Sequence, residues 1–329
     1  MAKVTVQDIA LALGVSTATV SMALHGKPGV SEQVRQTVCK KAEEMGYVVK
    51  ERMPRKKAQE TLTPVFLMIR QSGRDWNREQ FFLELLEELE RVTGGLLMRS
   101  VDAPTESNLR FVREKLAEIS QQASYIILLA TDLSRETLES LLPLMRCPVI
   151  VFDQNCWWLP VHSVAIDNVG SIIDGVRHYK EMGYTRFGFL TSSSRLELIY
   201  NFQERQDGFC RAMELLDIPE YQILEVPGGE ITEEQKKAFC ESLTAQVYFS
   251  IQDGIALRAH QLAQETQPGL PDDRILVGYD DSLPRSVSGA SFRLNRDIMA
   301  KNVADLGTQL VSHPGMAPVH ILVRSTLVK

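Results

Sequence analysis

Val4-Thr-Val-Gln-Asp8-Ile-Ala-Leu-Ala-Leu13-Gly14-Val15-Ser16-Thr-Ala-Thr-Val20-Ser-Met22-Ala-Leu24 is the stretch on which the reading of the chain turns. Thr5 with Asp8 three positions later forms a capping pair, and Val6, Ile9, Ala10 and Leu13 recur at helical spacing on one face, so a first helix starts here. Gly14 stands where a chain leaving a helix takes a positive φ. Val15 then turns back toward the core, and Ser16 is a favoured cap for a second helix. On that helix Val20, Ala23 and Leu24 face inward, which leaves Thr17, Ala18, Ser21 and Met22 on the other side. Ser31 caps a third helix running to about Met45, with Val34, Val38, Ala42 and Met45 as its apolar stripe and Gly46 as its stop. Two short helices joined by a glycine turn make helix-turn-helix geometry, in which the second helix enters the DNA major groove. By pattern alone, the alternative is a small three-helix bundle that binds no nucleic acid.

The residues themselves narrow the choice. Asp8-Ile9-Ala10, Gly14-Val15-Ser16, Thr19-Val20-Ser21, Val30-Ser31 and Gly46-Tyr47 resemble the headpiece of the lactose/galactose repressor (LacI/GalR) family of bacterial transcription regulators, nearly position for position. The resemblance implies a cytoplasmic, dimeric repressor that binds double-stranded operator DNA under control of a small-molecule effector. In that family the position of Met22 usually carries an arginine that reads guanine. Here Thr17, Ala18 and Met22 offer methyl and thioether surface suited to thymine methyl groups, so we expect weak, tolerant base readout. Ser16, Thr19, Ser21, His25 and Ser31 are then expected to anchor phosphates and set register, and Thr5 is counted with them on the DNA-facing side.

Charge agrees once it is divided along the chain. The whole protein of 329 residues carries a net charge of -6, which by itself argues against a nucleic-acid partner. Residues 1–57, however, hold ten Lys and Arg against five Asp and Glu, a net +5, while the remainder holds 26 against 37, a net -11. Lys3, Lys27, Arg35, Lys40, Lys41 and the run Arg52 to Lys57 supply the electrostatic footprint, since phosphate binding depends on local charge. With 44% hydrophobic and 24% charged residues the chain is globular, and no apolar run approaches the roughly 20 residues that span a bilayer. Five cysteines, an odd number without a Cys-x-x-Cys pair, suggest reduced thiols.

Residues 48–63 read as a basic linker between a headpiece at 1–47 and an effector-binding and dimerisation domain at 64–329. In the relatives this segment forms a hinge helix that wedges a leucine into the minor groove. Here the matching position is Lys56, with Pro54 just before it. An interior proline costs a helix about 3 kcal/mol, though proline is tolerated in the first turn. Arg55 and Lys56 therefore either belong to a helix starting at Pro54 or track phosphates from a tether.

From Pro64 onward, strand-length apolar runs alternate with amphipathic helices, which predicts two doubly wound lobes with parallel sheets, the architecture of periplasmic binding proteins. The N-lobe is expected at 64–157 and about 291–318, with the pattern restarting at Ser163 to Ile166. The C-lobe is expected at about 158–290 and 319–329. Ligands of such folds sit outside the carboxyl ends of the strands. Asp167-Asn168, Arg186, Arg205-Gln-Asp-Gly208-Phe209, Asp253-Gly-Ile-Ala256, Gly278-Tyr279-Asp280-Asp281 and Val323-Arg324-Ser325-Thr326 resemble the successive signatures of the same family's effector domain.

The effector is expected to be a sugar or sugar derivative, and the candidate contacts are Trp76, Phe81, Arg205 and Asp253. Arg205 can fork onto vicinal hydroxyls or an acid group, or else form a surface ion pair with Glu204 or Asp207. Asp253 can accept from hydroxyls, cap the helix that follows, or do both. Phe81 and Trp76 can stack on a ligand face or pack in the core. Relatives often supply a second aromatic where this chain has Pro227-Gly228-Gly229, which implies less stacking. Trp157-Trp158 are expected as packing near the first crossover, and Ser192 to Ser194 as turn formers. No nucleophile elbow, zinc motif, P-loop or dinucleotide fingerprint is present, so neither an enzyme nor a cofactor or metal is expected. The alternative is a cytosolic ligand-binding protein whose linker and recognition helix no longer give useful operator specificity.

Overall fold

The computed structural model describes residues 5–24, 30–45, 63–70, 80–193, 199–266 and 273–329, the side chains of 6, 18, 21, 32 and 80–82 apart. The chain divides into two compact units, residues 1–61 and 62–329.

In the first unit, α1 (Val6–Leu13), α2 (Thr17–Leu24) and α3 (Glu32–Glu44) close a small core of Ile9, Ala10, Val20, Ala23, Val38 and Ala42. These are the inward positions of the sequence pattern. Helix α1 leaves through Gly14 at φ 65, the left-handed conformation that favours glycine.

The second unit holds two six-stranded sheets. In the first, β1 (Val65–Arg70), β2 (Leu97–Asp102), β3 (Ile126–Leu129), β4 (Val149–Phe152), β5 (His162–Ile166) and β11 (His320–Val323) run parallel in the order β11-β5-β4-β3-β1-β2. In the second, β6 (Phe187–Thr191), β7 (Tyr221–Glu225), β8 (Val247–Ser250), β9 (Ile275–Tyr279) and β10 (Gly289–Arg293) run parallel, with a short antiparallel β12 (Thr326–Val328) at the edge beside β10. The intervening helices are α4 (Gln80–Thr93), α5 (Leu109–Gln122), α6 (Arg135–Leu141), α7 (Asn168–Glu181), α8 (Tyr200–Leu215), α9 (Glu233–Ser242), α10 (Asp253–Thr266) and α11 (Arg296–Ser312).

Continuous apolar runs are what such strands require, because helices cover both faces of a parallel sheet. Phe66, Ile127, Leu129, Ile150, Phe152 and Val164 fill one face of the first sheet, and Val65, Leu67, Ile126, Leu128 and Val151 the other. Gly188 lies opposite Tyr248 in the second sheet, where an added Cβ would overlap the tyrosine ring.

The expected lobe boundaries move. Strand β5 pairs with β4 (Ile150↔His162), and β11 pairs with β5 (His320↔Ser163), so both belong to the N-lobe. The chain first crosses at Asp167 rather than at 157–158. It crosses back after Arg293 rather than near 291, and finally between β11 and β12 rather than at 318–319. The run Ser163 to Ile166 reads as a fresh start because a loop with two tryptophans precedes it. Lobe membership, however, is decided by edge pairing, which no local pattern carries. The three crossings are tied together: Arg324 Nε lies 3.0 Å from Asp167 Oδ2, and Asn295 Nδ2 donates to Arg324 O at 2.6 Å and to Thr326 Oγ1 at 3.2 Å.

Candidate functional site

On the first unit, Thr5 and Asp8 form the capping box: Thr5 N–H donates to Asp8 Oδ2 at 2.8 Å and Asp8 N–H to Thr5 Oγ1 at 3.4 Å. The Thr5 hydroxyl also donates to Asp8, and this holds the Asp8 carboxyl below its usual range. Ser16 Oγ accepts from Thr19 N–H at 3.1 Å and bonds the Thr19 hydroxyl at 2.8 Å, so α2 begins with its cap in place. Ser31 Oγ accepts from Val34 N–H at 3.4 Å. Thr17 is exposed, while Thr19 and Met22 are half-buried. Ala18 and Ser21 lie on α2, but their side chains fall outside the described ones. Arg35, expected in the phosphate footprint, donates to Met22 O at 3.4 Å and Ala23 O at 3.2 Å. It thus sits on the last carbonyls of α2, where the helix dipole favours a cation. His25, Arg55, Lys56 and Trp76 lie outside the described residues, as does most of the linker. Phe81 lies on α4 without a described side chain.

In the second unit, polar side chains gather where the carboxyl ends of the two sheets approach each other. Arg205, on α8, is only 3% exposed, and its guanidinium lies 3.6 Å over the Tyr279 ring. Its Nε donates to Asn168 Oδ1 at 2.9 Å and its Nη1 to Ile251 O at 2.6 Å. The arginine therefore links the ends of β8 and β9 to the first crossover, and it makes no ion pair with Glu204 or Asp207. Asn168 in turn donates to Glu204 Oε2 at 2.9 Å and Asn201 Oδ1 at 3.2 Å. Asn201 Nδ2 reaches the other lobe, donating to Asp153 O at 3.1 Å.

Asp153 and Asp280 were not among the sequence candidates. Each follows directly on a buried strand, β4 and β9 respectively, and each adopts the left-handed backbone, at φ 66 and φ 100. Such conformations are strained for an L side chain and cluster at ligand sites. Asp153 is 2% exposed. Its Oδ2 accepts from Thr131 Oγ1 at 2.5 Å, and its Oδ1 is buried without a partner. Burial pushes the Asp153 carboxyl up to about 6, against the pull of Thr131 and Arg205. Burial likewise pushes Glu204 up to about 7 and raises Asp280 above its usual range. The signal was present in the sequence: an Asp immediately after an apolar run marks a strand's carboxyl end, where doubly wound folds bind ligands.

Asp253 does not cap the helix that follows. It is the first residue of α10, and Gln252 is the residue whose carbonyl accepts from Ile255 and Ala256 as the cap. Its carboxylate accepts from Ser282 Oγ at 3.0 Å, Ser291 Oγ at 2.8 Å and the Ser282 N–H. With those bonds made and 3% exposure, Asp253 fixes the loop carrying Asp280 against Ser291 of β10. Trp158, between β4 and β5, stacks edge-on against Tyr200 of α8 at 5.3 Å and so packs one lobe on the other, whereas Trp157 is 68% exposed. Ser193 Oγ donates to Glu225.

A helix-turn-helix unit and a two-lobed α/β domain with buried polar groups between its lobes define a class, the DNA-binding regulators that carry their own ligand-binding domain. Residues 5–49 match the profile described as "Bacterial regulatory proteins, lacI family". The chain is 24% identical over 287 residues to the HTH-type transcriptional regulator DegA of Bacillus subtilis, covering 85% of this chain and 82% of that one. It is 26% identical over 295 residues to the HTH-type transcriptional repressor CytR of Escherichia coli, covering 84% and 80%. Among solved structures, the transcriptional regulator CelR–cellobiose complex superposes with a TM-score of 0.62 at 18% identity over 99% of both chains. The lac repressor dimer bound to operator and the anti-inducer ONPF gives 0.61 at 17% identity over 100% and 98%. Residues 5–49 thus match a LacI-family DNA-binding domain, and the chain is similar over 84–85% of its length to transcriptional regulators and repressors. No helix among the described residues is long and apolar enough to cross a membrane.

Proposed function

We propose that the protein is a cytoplasmic, homodimeric repressor that binds operator DNA through α2 and loosens or tightens that grip when a small polar effector, a sugar or sugar derivative, enters between the lobes. The observation that carries this reading is the network around Arg205. One buried cation spans the ends of two strands and, through Asn168, the first crossover between lobes. A ligand that engages Asp153 on one lobe and Asp280 on the other favours one lobe arrangement. An arrangement bound more tightly is the one whose population rises. CytR is by name a repressor and CelR is complexed with cellobiose, which supports both halves of the reading.

Dimerisation follows from the need of one helix-turn-helix for a second half-site. The test is selection of genomic fragments by the full chain, followed by thermal shift with a panel of sugars, sugar phosphates and nucleobases. The expected result is retention of a discrete fragment over random DNA, with at least one compound both raising Tm and changing retention. A ligand that raises Tm without any preferred fragment would instead favour a ligand-binding protein of degenerate DNA specificity.

A further inference from the structure

We infer that the effector of this protein carries a protonated amine alongside its hydroxyls, as an amino sugar does, and that Asp153 receives it. The inference rests on the reading above that the interlobe site binds a small polar ligand. It starts from a charge imbalance. Asp153, Glu204 and Asp280 all lie within electrostatic reach of Arg205, and Asp253 adds a fourth carboxylate beside Asp280. Yet Arg205 spends its Nε and Nη1 on Asn168 and the Ile251 carbonyl, and its face on Tyr279, and it forms no ion pair with any of the four. Arg296, a second described cation near Asp280, is paired with Glu84 at 2.6 Å. Among the described residues, buried and half-buried acids therefore outnumber the cations beside them.

Their hydrogen bonds discriminate further. Asp253 is satisfied by Ser282 and Ser291, and Glu204 accepts from Asn168. Asp153, by contrast, presents a carboxylate oxygen that is buried and unmatched. It lies at the carboxyl end of β4, bracketed by Thr131 of its own lobe and Asn201 of the other. A second orphan, Thr191 Oγ1, lies at the carboxyl end of β6. A buried polar group without a partner is costly, and a buried charge without a counter-charge is more so. A neutral sugar hydroxyl supplies the missing hydrogen bond but leaves the excess negative charge in place. An ammonium supplies both, and in a site shielded from water the charge is worth far more than at the surface.

The experiment is calorimetric titration of the full-length protein with matched pairs that differ only in the amine: D-glucosamine against D-glucose, and D-galactosamine against D-galactose. The expected result is that the amine member of at least one pair binds about tenfold or more tighter than its neutral partner, a modest demand for a desolvated ion pair. Asp153→Asn should abolish that preference, and Asp280→Asn is the second variant should the first fail to fold. Equal binding within both pairs, tighter binding of the neutral members, or binding of neither member of any pair overturns the inference. The regulator reading fails separately, when no genomic fragment is preferred. A neutral sugar that binds and changes operator retention would sink the amine while leaving the repressor standing.

Discussion

Asp153 concentrates the tension between stability and function in one side chain. Its carboxyl is raised from 3.8 to about 6 by burial, so the folded protein favours the protonated form. Folding is then unaffected by this group below its unfolded value and is opposed increasingly as pH rises from about 4 to above 6, at a cost of about 3 kcal/mol at neutral pH. Asp153→Asn should raise the Tm of the unliganded protein at pH 7.5 and leave it nearly unchanged at pH 4, while abolishing the effector response. Thermal unfolding at the two pH values measures this, and a lower Tm at pH 7.5 would contradict it. Met22 is the second residue to which we assign specificity. Half-buried on α2 and apolar, it gives a base edge no hydrogen bond. Met22→Arg should add guanine preference worth about 1–3 kcal/mol at one position of each half-site in a randomised-DNA selection. Unchanged selectivity would remove Met22 from the reading face.

At the scale of elements, the sequence and the structure agree where the signal is local. The caps Thr5, Ser16 and Ser31, the turn at Gly14 and the apolar runs of β1, β3, β4 and β8 could each be located from a few neighbouring residues, because capping and periodicity are short-range effects. Strand β10, Gly-Ala-Ser-Phe-Arg, was not legible because only Phe292 has strong strand preference, and β12 is three residues at an edge. The lobe assignment of β5 and β11 was not legible either, since it depends on partners distant in sequence. The site divides in the same way. Arg205 could be recognised from its family signature, whereas the parts played by Asp153 and Asp253 depend on the serines, threonine and asparagine that converge on them from other elements. Gly278 belongs to that convergence. A Cβ there would overlap Asp253 Oδ1 and approach its Cα at 3.1 Å. Gly278→Ala should therefore displace the Asp280 loop, destabilising the effector domain by about 1–3 kcal/mol and weakening effector binding with it. Wild-type Tm and affinity would show that the loop does not depend on Asp253.

The whole molecule places opposite charge at its two ends of function, +5 over residues 1–57 and -11 over the rest. The acidic remainder repels duplex, so DNA binding should be confined to the N-terminal unit and should fall steeply with salt. Within the effector domain, Asp167, Asn295 and Arg324 join the three crossings, and Arg205 reaches that junction through Asn168. A ligand between the lobes therefore lies beside the junction that joins them. The most direct measurement is fluorescence anisotropy of a selected operator duplex bound to the full-length protein, titrated with the compound that raises its Tm most, for wild type and Asp153→Asn side by side. We predict that wild-type operator affinity changes about tenfold or more with saturating ligand, the scale of ordinary allosteric coupling, and that the variant binds the duplex as tightly without ligand but does not respond. An operator affinity that stays the same with ligand bound in wild type would contradict control of DNA binding from the interlobe site.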